Sequence, residues 1–116
     1  MTYSIVATDG VDIGIAVASK FIAVGAIVPH ARAGIGAVAT QCYANPRLGS
    51  LILKLLESGL STNDALIKAI NEDPGREERQ LGVVSIQGGA AAYTGSKCPE
   101  YAGHIVGSNY AVQGNI

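Results

Sequence analysis

Tryptophan is absent from this 116-residue sequence, phenylalanine occurs once and cysteine twice. With so few large rings, the core has to be filled by aliphatic and small side chains, and the abundant Ala and Gly point to layers that approach closely. Charge is equally scarce: eight Lys and Arg against nine Asp and Glu leave a formal net charge of −1. A chain this neutral, with no basic run and no interleaving of basic and aromatic residues, has no electrostatic footprint for nucleic acid or an anionic membrane. The longest nearly apolar stretch, Phe21 to Pro29, is far short of the roughly 20 residues that span a bilayer. No positively charged leader precedes an apolar run, so the cytoplasm is the expected location.

Metal and cofactor motifs are missing too. Cys42 and Cys98 lack CxxC spacing and have no histidines placed to complete a zinc site. Two reduced, mostly buried thiols are the ordinary reading, with a disulfide or a catalytic thiol as the alternatives. His30 and His104 have no Asp or Glu at ligand spacing, so no metal is expected. Gly34-Ile35-Gly36 lies inside a strand-like run without the third Gly of a dinucleotide fingerprint, and no G-x-S-x-G elbow occurs. No cofactor is called for.

What is present suits one folded domain over residues 1–116. Apolar residues make up 48% and charged residues 15%, which supplies a core and excludes disorder. Tyr3, Ile5 and Ala7 alternate with Ser4, Val6 and Thr8 as in a strand, and Asp9-Gly10 marks a hairpin turn. Ile13, Ile15 and Val17 then alternate with Gly14, Ala16 and Ala18, and the tiny face is expected to lie against a second layer. Residues 20–33 read as a mixed segment, and Gly34 to Gln41 as a third strand.

Asn45-Pro46 starts a helix with Asn as cap and Pro at the first position, where its missing N–H costs nothing. Leu48, Leu51, Ile52, Leu55 and Leu56 form one apolar face, and Gly59 ends it. Ser61, followed three residues on by Asp64, caps a second helix that stops at Asp73-Pro74-Gly75. The short connection predicts an antiparallel helix pair lying on the sheet. Gln80 to Ile86 and Ala90 to Thr94 read as strands around Gln87-Gly88-Gly89, and His104 to Val106 with Tyr110 to Gln113 as a last pair. Mostly antiparallel sheet with one helix pair is an α+β layout. If two sheets stack, one outer face lacks a cover, so a C-terminal part or a partner is expected to be missing.

The stretches TYSIVATD, GIAVASKFIAVGAIVP, ARAGIGAVATQCYANPRLG, DPGREERQLGVV, AYTGSKC and YAVQGN, taken in order, resemble the domain-of-unknown-function 1028 family. The resemblance covers essentially the whole chain. It implies an N-terminal-nucleophile (Ntn) hydrolase with an αββα sandwich. Family members continue into helices that would cover the open face, so this chain is expected to be the N-terminal portion of a longer domain. It departs from the pattern at His30, where an aromatic such as Trp is expected.

In the chemistry this resemblance implies, a Thr, Ser or Cys heads a strand at the true N-terminus. Its side chain attacks a carbonyl, and its free α-amine, with a pKa near neutrality, takes the proton. Thr2 has the residue type and the place, and is small enough for methionine aminopeptidase to remove Met1; with Met1 retained its nitrogen is a peptide nitrogen and the mechanism fails. Lys20 would lower the pKa of the amine or hydroxyl by its charge, and Ser19 would donate to the amine. Thr40, Gln41 and Asn45 are candidates to hold the substrate's polar group, although Asn45 also serves as a helix cap. Asn115 offers an oxyanion donor. Arg76 is a candidate carboxylate binder, set against the ordinary use of Arg76 and Arg79 in pairing with Glu77 or Glu78.

Three functions follow. One is an amidohydrolase cleaving a small C–N bond with Thr2. Another is a non-catalytic binding or assembly domain on the same sandwich. The third is a fragment that does not fold alone. A small-molecule amide as partner belongs to the first, and a homo-oligomer to the first two, because an uncovered apolar sheet face favours burial against a neighbour.

Overall fold

The computed structural model describes residues Met1–Ile116. Four strands come first: β1 (Thr2–Thr8), β2 (Ile13–Ser19), β3 (Pro29–Arg32) and β4 (Gly36–Cys42). Helices α1 (Pro46–Glu57) and α2 (Thr62–Glu72) follow, then β5 (Arg79–Ser85), β6 (Ala90–Thr94), β7 (Ala102–Val106) and β8 (Tyr110–Asn115). The strands form two antiparallel four-stranded sheets, ordered β2-β1-β8-β7 and β3-β4-β5-β6. The fold is α+β, with the two sheets face to face and the helix pair on the outer side of the second. No helix is long and apolar enough to cross a membrane.

Local signals account for most of these elements. The β1–β2 turn is tied by Asp9 Oδ1, which accepts from the backbone N–H of Val11 at 2.9 Å and of Asp12 at 2.7 Å. The side chain of Asn45 accepts from Arg47 N–H at 3.2 Å at the head of α1, with Pro46 at the first position. Ser61 caps α2 by accepting from Asp64 N–H at 3.1 Å. At the end of α1, Gly59 adopts φ +101° and Leu60 N–H returns to Leu55 C=O, the left-handed stop foreseen for a glycine there.

Two cores result. Leu48, Ile52, Leu53 and Leu56 of α1 and Leu66 and Ile70 of α2 pack on Val38, Leu81 and Val83. Each such side chain, fully buried, contributes about 1.5–3 kcal/mol. Between the sheets the side chains are smaller: Val6, Val28, Ala37, Ala39, Val84 and Ala111. β4 and β5 lie in both cores because alternate residues point to opposite faces. Ala37, Ala39 and Gln41 face the other sheet, whereas Val38 and Thr40 face the helices.

The structure corrects two expectations. The segment read as mixed contains β3, which pairs with β4 from Pro29↔Ala39 to Arg32↔Gly36. The small face of β2 does not face the other sheet: within residues 1–116 Gly14, Ala16 and Ala18 are exposed, while Ile13, Ile15 and Val17 pack toward the inter-sheet core. β2 is an edge strand, and its branched side chains reach inward where the tiny ones would leave voids. The outer face of β2-β1-β8-β7 carries no helix in this chain, and Tyr3, Ile5, Ile105 and Tyr110 are exposed there.

Candidate active site

Register decides what meets Thr2. In the β2-β1-β8 order Thr2 lies opposite Ser19 on one side and Asn115 on the other, so three polar residues occupy one rung at the sheet's end. Beside that rung is a cavity of about 660 Å³, bordered by Met1, Thr2, Ser19, Lys20, Gln41 and Asn115, with apolar walls from the 21–28 segment and Pro99. Five of the eight residues singled out from the sequence therefore share one cavity: Thr2, Ser19, Lys20, Gln41 and Asn115.

The hydroxyls have a definite order. Ser19 Oγ lies 2.7 Å from the Met1 carbonyl oxygen, which can only accept, so Ser19 is the donor. Its 3.0 Å contact with Thr2 Oγ1 is then made by the Thr2 hydroxyl as donor. Ser19 also accepts from Phe21 N–H at 3.1 Å, which fixes the chain as it leaves β2 beside Lys20.

Behind the rung lies a polar network within the sheet interface. Ser4 Oγ donates to Gln41 Oε1 at 2.6 Å, and Gln41 Nε2 donates to Gln80 Oε1 at 2.8 Å. Asn115 Nδ2 donates to the same Gln80 oxygen at 3.0 Å. Gln80 Nε2 faces Thr94 Oγ1 and the carbonyls of Gly103 and Gly114, all at 2.9–3.0 Å. Three acceptors around its nitrogen leave one orientation for the Gln80 amide, and that orientation aims its oxygen at Gln41 and Asn115. Gln113 Nε2 donates to Ser4 at 2.8 Å, and its Oε1 is buried without a partner. That side chain lies over Gly82, where any Cβ would overlap the Gln113 amide.

Gln41 is consequently committed. Its oxygen serves Ser4, and its nitrogen serves Gln80, with longer approaches to the Gln113 and Thr2 carbonyls at 3.3 and 3.4 Å. It braces Thr2 from the opposite sheet. Asn115 borders the cavity and spends one N–H on Gln80, leaving its second N–H and Oδ1 without another side-chain hydrogen bond.

The structure places three further candidates elsewhere. Thr40 is buried on the helix side of β4, and its hydroxyl engages the backbone of Asn45 at 3.4–3.5 Å. Asn45 acts as the cap of α1. Arg76 is exposed in a single helical turn before β5, 3.8 Å from Glu77. None of the three borders the Thr2 cavity.

Arg79, not Arg76, makes the strong ion pair. Its Nε lies 2.7 Å from Asp73 Oδ2, and its Nη1 donates to the Tyr43 carbonyl at 2.9 Å. The Arg79 side-chain hydrogen bond holds the Asp73 carboxyl below its ordinary range against the opposing effect of burial. Tyr43 follows Cys42, whose φ of +68° puts a non-glycine residue in the left-handed region at the cavity wall. The Asp73–Arg79 pair thus buttresses a bent strand end.

Both cysteines are free and half-buried. Cys98 Sγ lies 3.5 Å from the Arg79 carbonyl, and burial, then its neighbour Cys42, push its thiol up to about 12. A thiol so shifted stays protonated at neutral pH and is a poor nucleophile.

Residues 2–116 match the family model described as Family of unknown function (DUF1028). The chain belongs to the DUF1028 family. It is also similar to a crystal structure of protein SPO2555 from Silicibacter pomeroyi, assigned to the same family, with 32% identity and a TM-score of 0.93. The match covers 99% of this chain and 52% of that one, so the chain spans about half the length of this relative. No curated protein matches the DUF1028 chain.

Proposed function

We propose that the cavity at the end of β1 is the site of an Ntn amidohydrolase acting on a small amide, with Thr2 as nucleophile. The observation that carries the reading is the Thr2 hydroxyl at the head of β1, hydrogen-bonded to Ser19 and bordering a cavity with Lys20 and Asn115. In this reading Met1 is removed and Thr2 gains a free α-amine. Its hydroxyl attacks the amide carbonyl, the proton passes to that amine, and the amine returns it to the leaving nitrogen. Water then hydrolyses the Thr2 ester. The positive charge of Lys20 favours the neutral form of the free amine, and the second N–H of the Asn115 amide donates to the oxyanion. Loss of Met1 frees Ser19 from the carbonyl it now serves, and its hydroxyl turns to the new amine. Helices beyond this stretch would cover the outer face of β2-β1-β8-β7 and complete an αββα sandwich.

A second reading has its own observation. Ser19 holds the Met1 carbonyl inside the site at 2.7 Å. With Met1 retained, the same cavity is a binding site without chemistry. Intact mass of the protein from its native host separates the two, and amide hydrolysis tests the first. The amidohydrolase reading expects loss of Met1 and turnover that Thr2→Ala abolishes at unchanged thermal stability. Retained Met1, or activity surviving Thr2→Ala, overturns it.

A further inference from the structure

The lining of the Thr2 cavity is asymmetric in charge and in polarity. Lys20 is the only charged side chain among the residues that border it, and no Asp or Glu does. Lys20 is exposed and takes no part in the chain's three ion pairs, which join Arg32 to Glu57, Arg76 to Glu77 and Arg79 to Asp73. Polar groups with unspent hydrogen-bonding capacity gather at the β1 rung: the oxygen of the Thr2 hydroxyl, and the Oδ1 and second N–H of Asn115. Gln41 offers none, because its amide is consumed by the sheet network. Phe21, Val24, Ile27, Val28 and Pro99 make most of the remaining wall apolar, with Cys42 and Tyr43 at its other side.

From this arrangement we infer that the cavity takes an amphipathic anion, an amide whose body is a short apolar chain and which carries a carboxylate at the Lys20 rim. An apolar body fills the wall along residues 21–28, the scissile carbonyl meets the Thr2 rung, and the carboxylate finds a cation with no competing acid. A volume of about 660 Å³ admits a ligand of that size. The inference deepens the Thr2 reading by naming its substrate class. In this inference Lys20 pairs with the arriving carboxylate.

Binding of simple probes tests this without turnover. Acetate, butyrate, hexanoate and hexanamide would be titrated by NMR into the intact protein and into Lys20→Gln and Lys20→Arg. Affinity is expected to rise about fourfold per added methylene, and hexanoate to bind about fivefold tighter than hexanamide. Shifts should centre on Val24, Ile27 and Thr2. Lys20→Gln removes the preference for the acid and leaves hexanamide unchanged, while Lys20→Arg retains the preference. Equal binding of acetate and hexanoate, equal binding of acid and amide, or a preference surviving Lys20→Gln would overturn the inference. The predicted binding in a protein that cleaves no amide would sink the Thr2 chemistry alone; turnover without this pattern would sink the substrate class alone.

Discussion

The side-chain amides of Gln41 and Gln80 meet across the β4–β5 pair, where they stand opposite in register with Nε2 of the first 2.8 Å from Oε1 of the second. Both are fully buried, so their partners cannot be replaced by water at no cost. Gln80 binds both sheets and orients the two amides that reach the Thr2 rung. Gln80→Leu strands the Asn115 nitrogen, leaves Gln41 Nε2 only its longer contacts and removes the donor to two backbone carbonyls, and is expected to cost about 3 kcal/mol or more. Gln80→Glu must stay protonated to donate to any of those carbonyls, so it should be less stable at pH 7 than at pH 5. Urea midpoints at the two pH values check this; equal midpoints would refute the assigned orientation.

Asp73 and Arg79 give a pH prediction. The folded-state pKa of Asp73 lies below its ordinary value because of Arg79. The pair's contribution is therefore fully present above the unfolded value of about 3.9 and is lost as pH falls through the lower folded value. Asp73→Asn should lower stability by about 2 kcal/mol at pH 7, and flatten the loss of stability below about pH 4. Chemical denaturation across pH 2–7 measures both effects.

The outer face of β2-β1-β8-β7 presents Tyr3, Ile5, Ile105 and Tyr110 to solvent. We propose that residues 1–116, produced alone, self-associate through this face. Sedimentation velocity should show species larger than the monomer, and Ile5→Lys with Ile105→Lys should return the chain to monomer. A monomeric unsubstituted chain would contradict the proposal.

Gly49 of α1 lies against the ring of His30 on β3, and a Cβ at Gly49 would overlap that ring. Gly49→Ala should destabilise the protein by about 1–3 kcal/mol despite Ala's higher helix propensity. His30→Ala in the same background should recover part of the loss, a coupling that a double-mutant cycle reads directly.

Sequence patterns disclosed the hairpin, both helices and the strand pairs because each carries a local cause: period-two alternation, Asn and Ser caps, a terminal Gly. β3 escaped because Pro29-His30-Ala31-Arg32 is four residues without alternation, and its pairing with β4 is a tertiary fact. Alternation along β2 showed two faces but not which of them turns inward. The same ambiguity grouped Thr40 with Gln41, although adjacent strand residues point to opposite faces and only Gln41 can reach the Thr2 cavity. Gln80 was missed as a site residue, and Arg79 as the partner of Asp73, because both roles depend on pairing between distant segments. A signal for the network was nevertheless present: Gln41, Gln80 and Gln113 each interrupt or end an apolar strand, where a glutamine must find partners if it is buried.

The most direct test of the Thr2 reading is the site of acylation. The protein from its native host would be exposed to a small β-lactone, digested, and the modified peptide located by mass. The reading predicts that Met1 is gone and that the acyl group sits on Thr2 of the first peptide, with no adduct in Thr2→Ala. A folded protein that retains Met1, or one whose Thr2 stays unmodified while another residue is acylated, would contradict it.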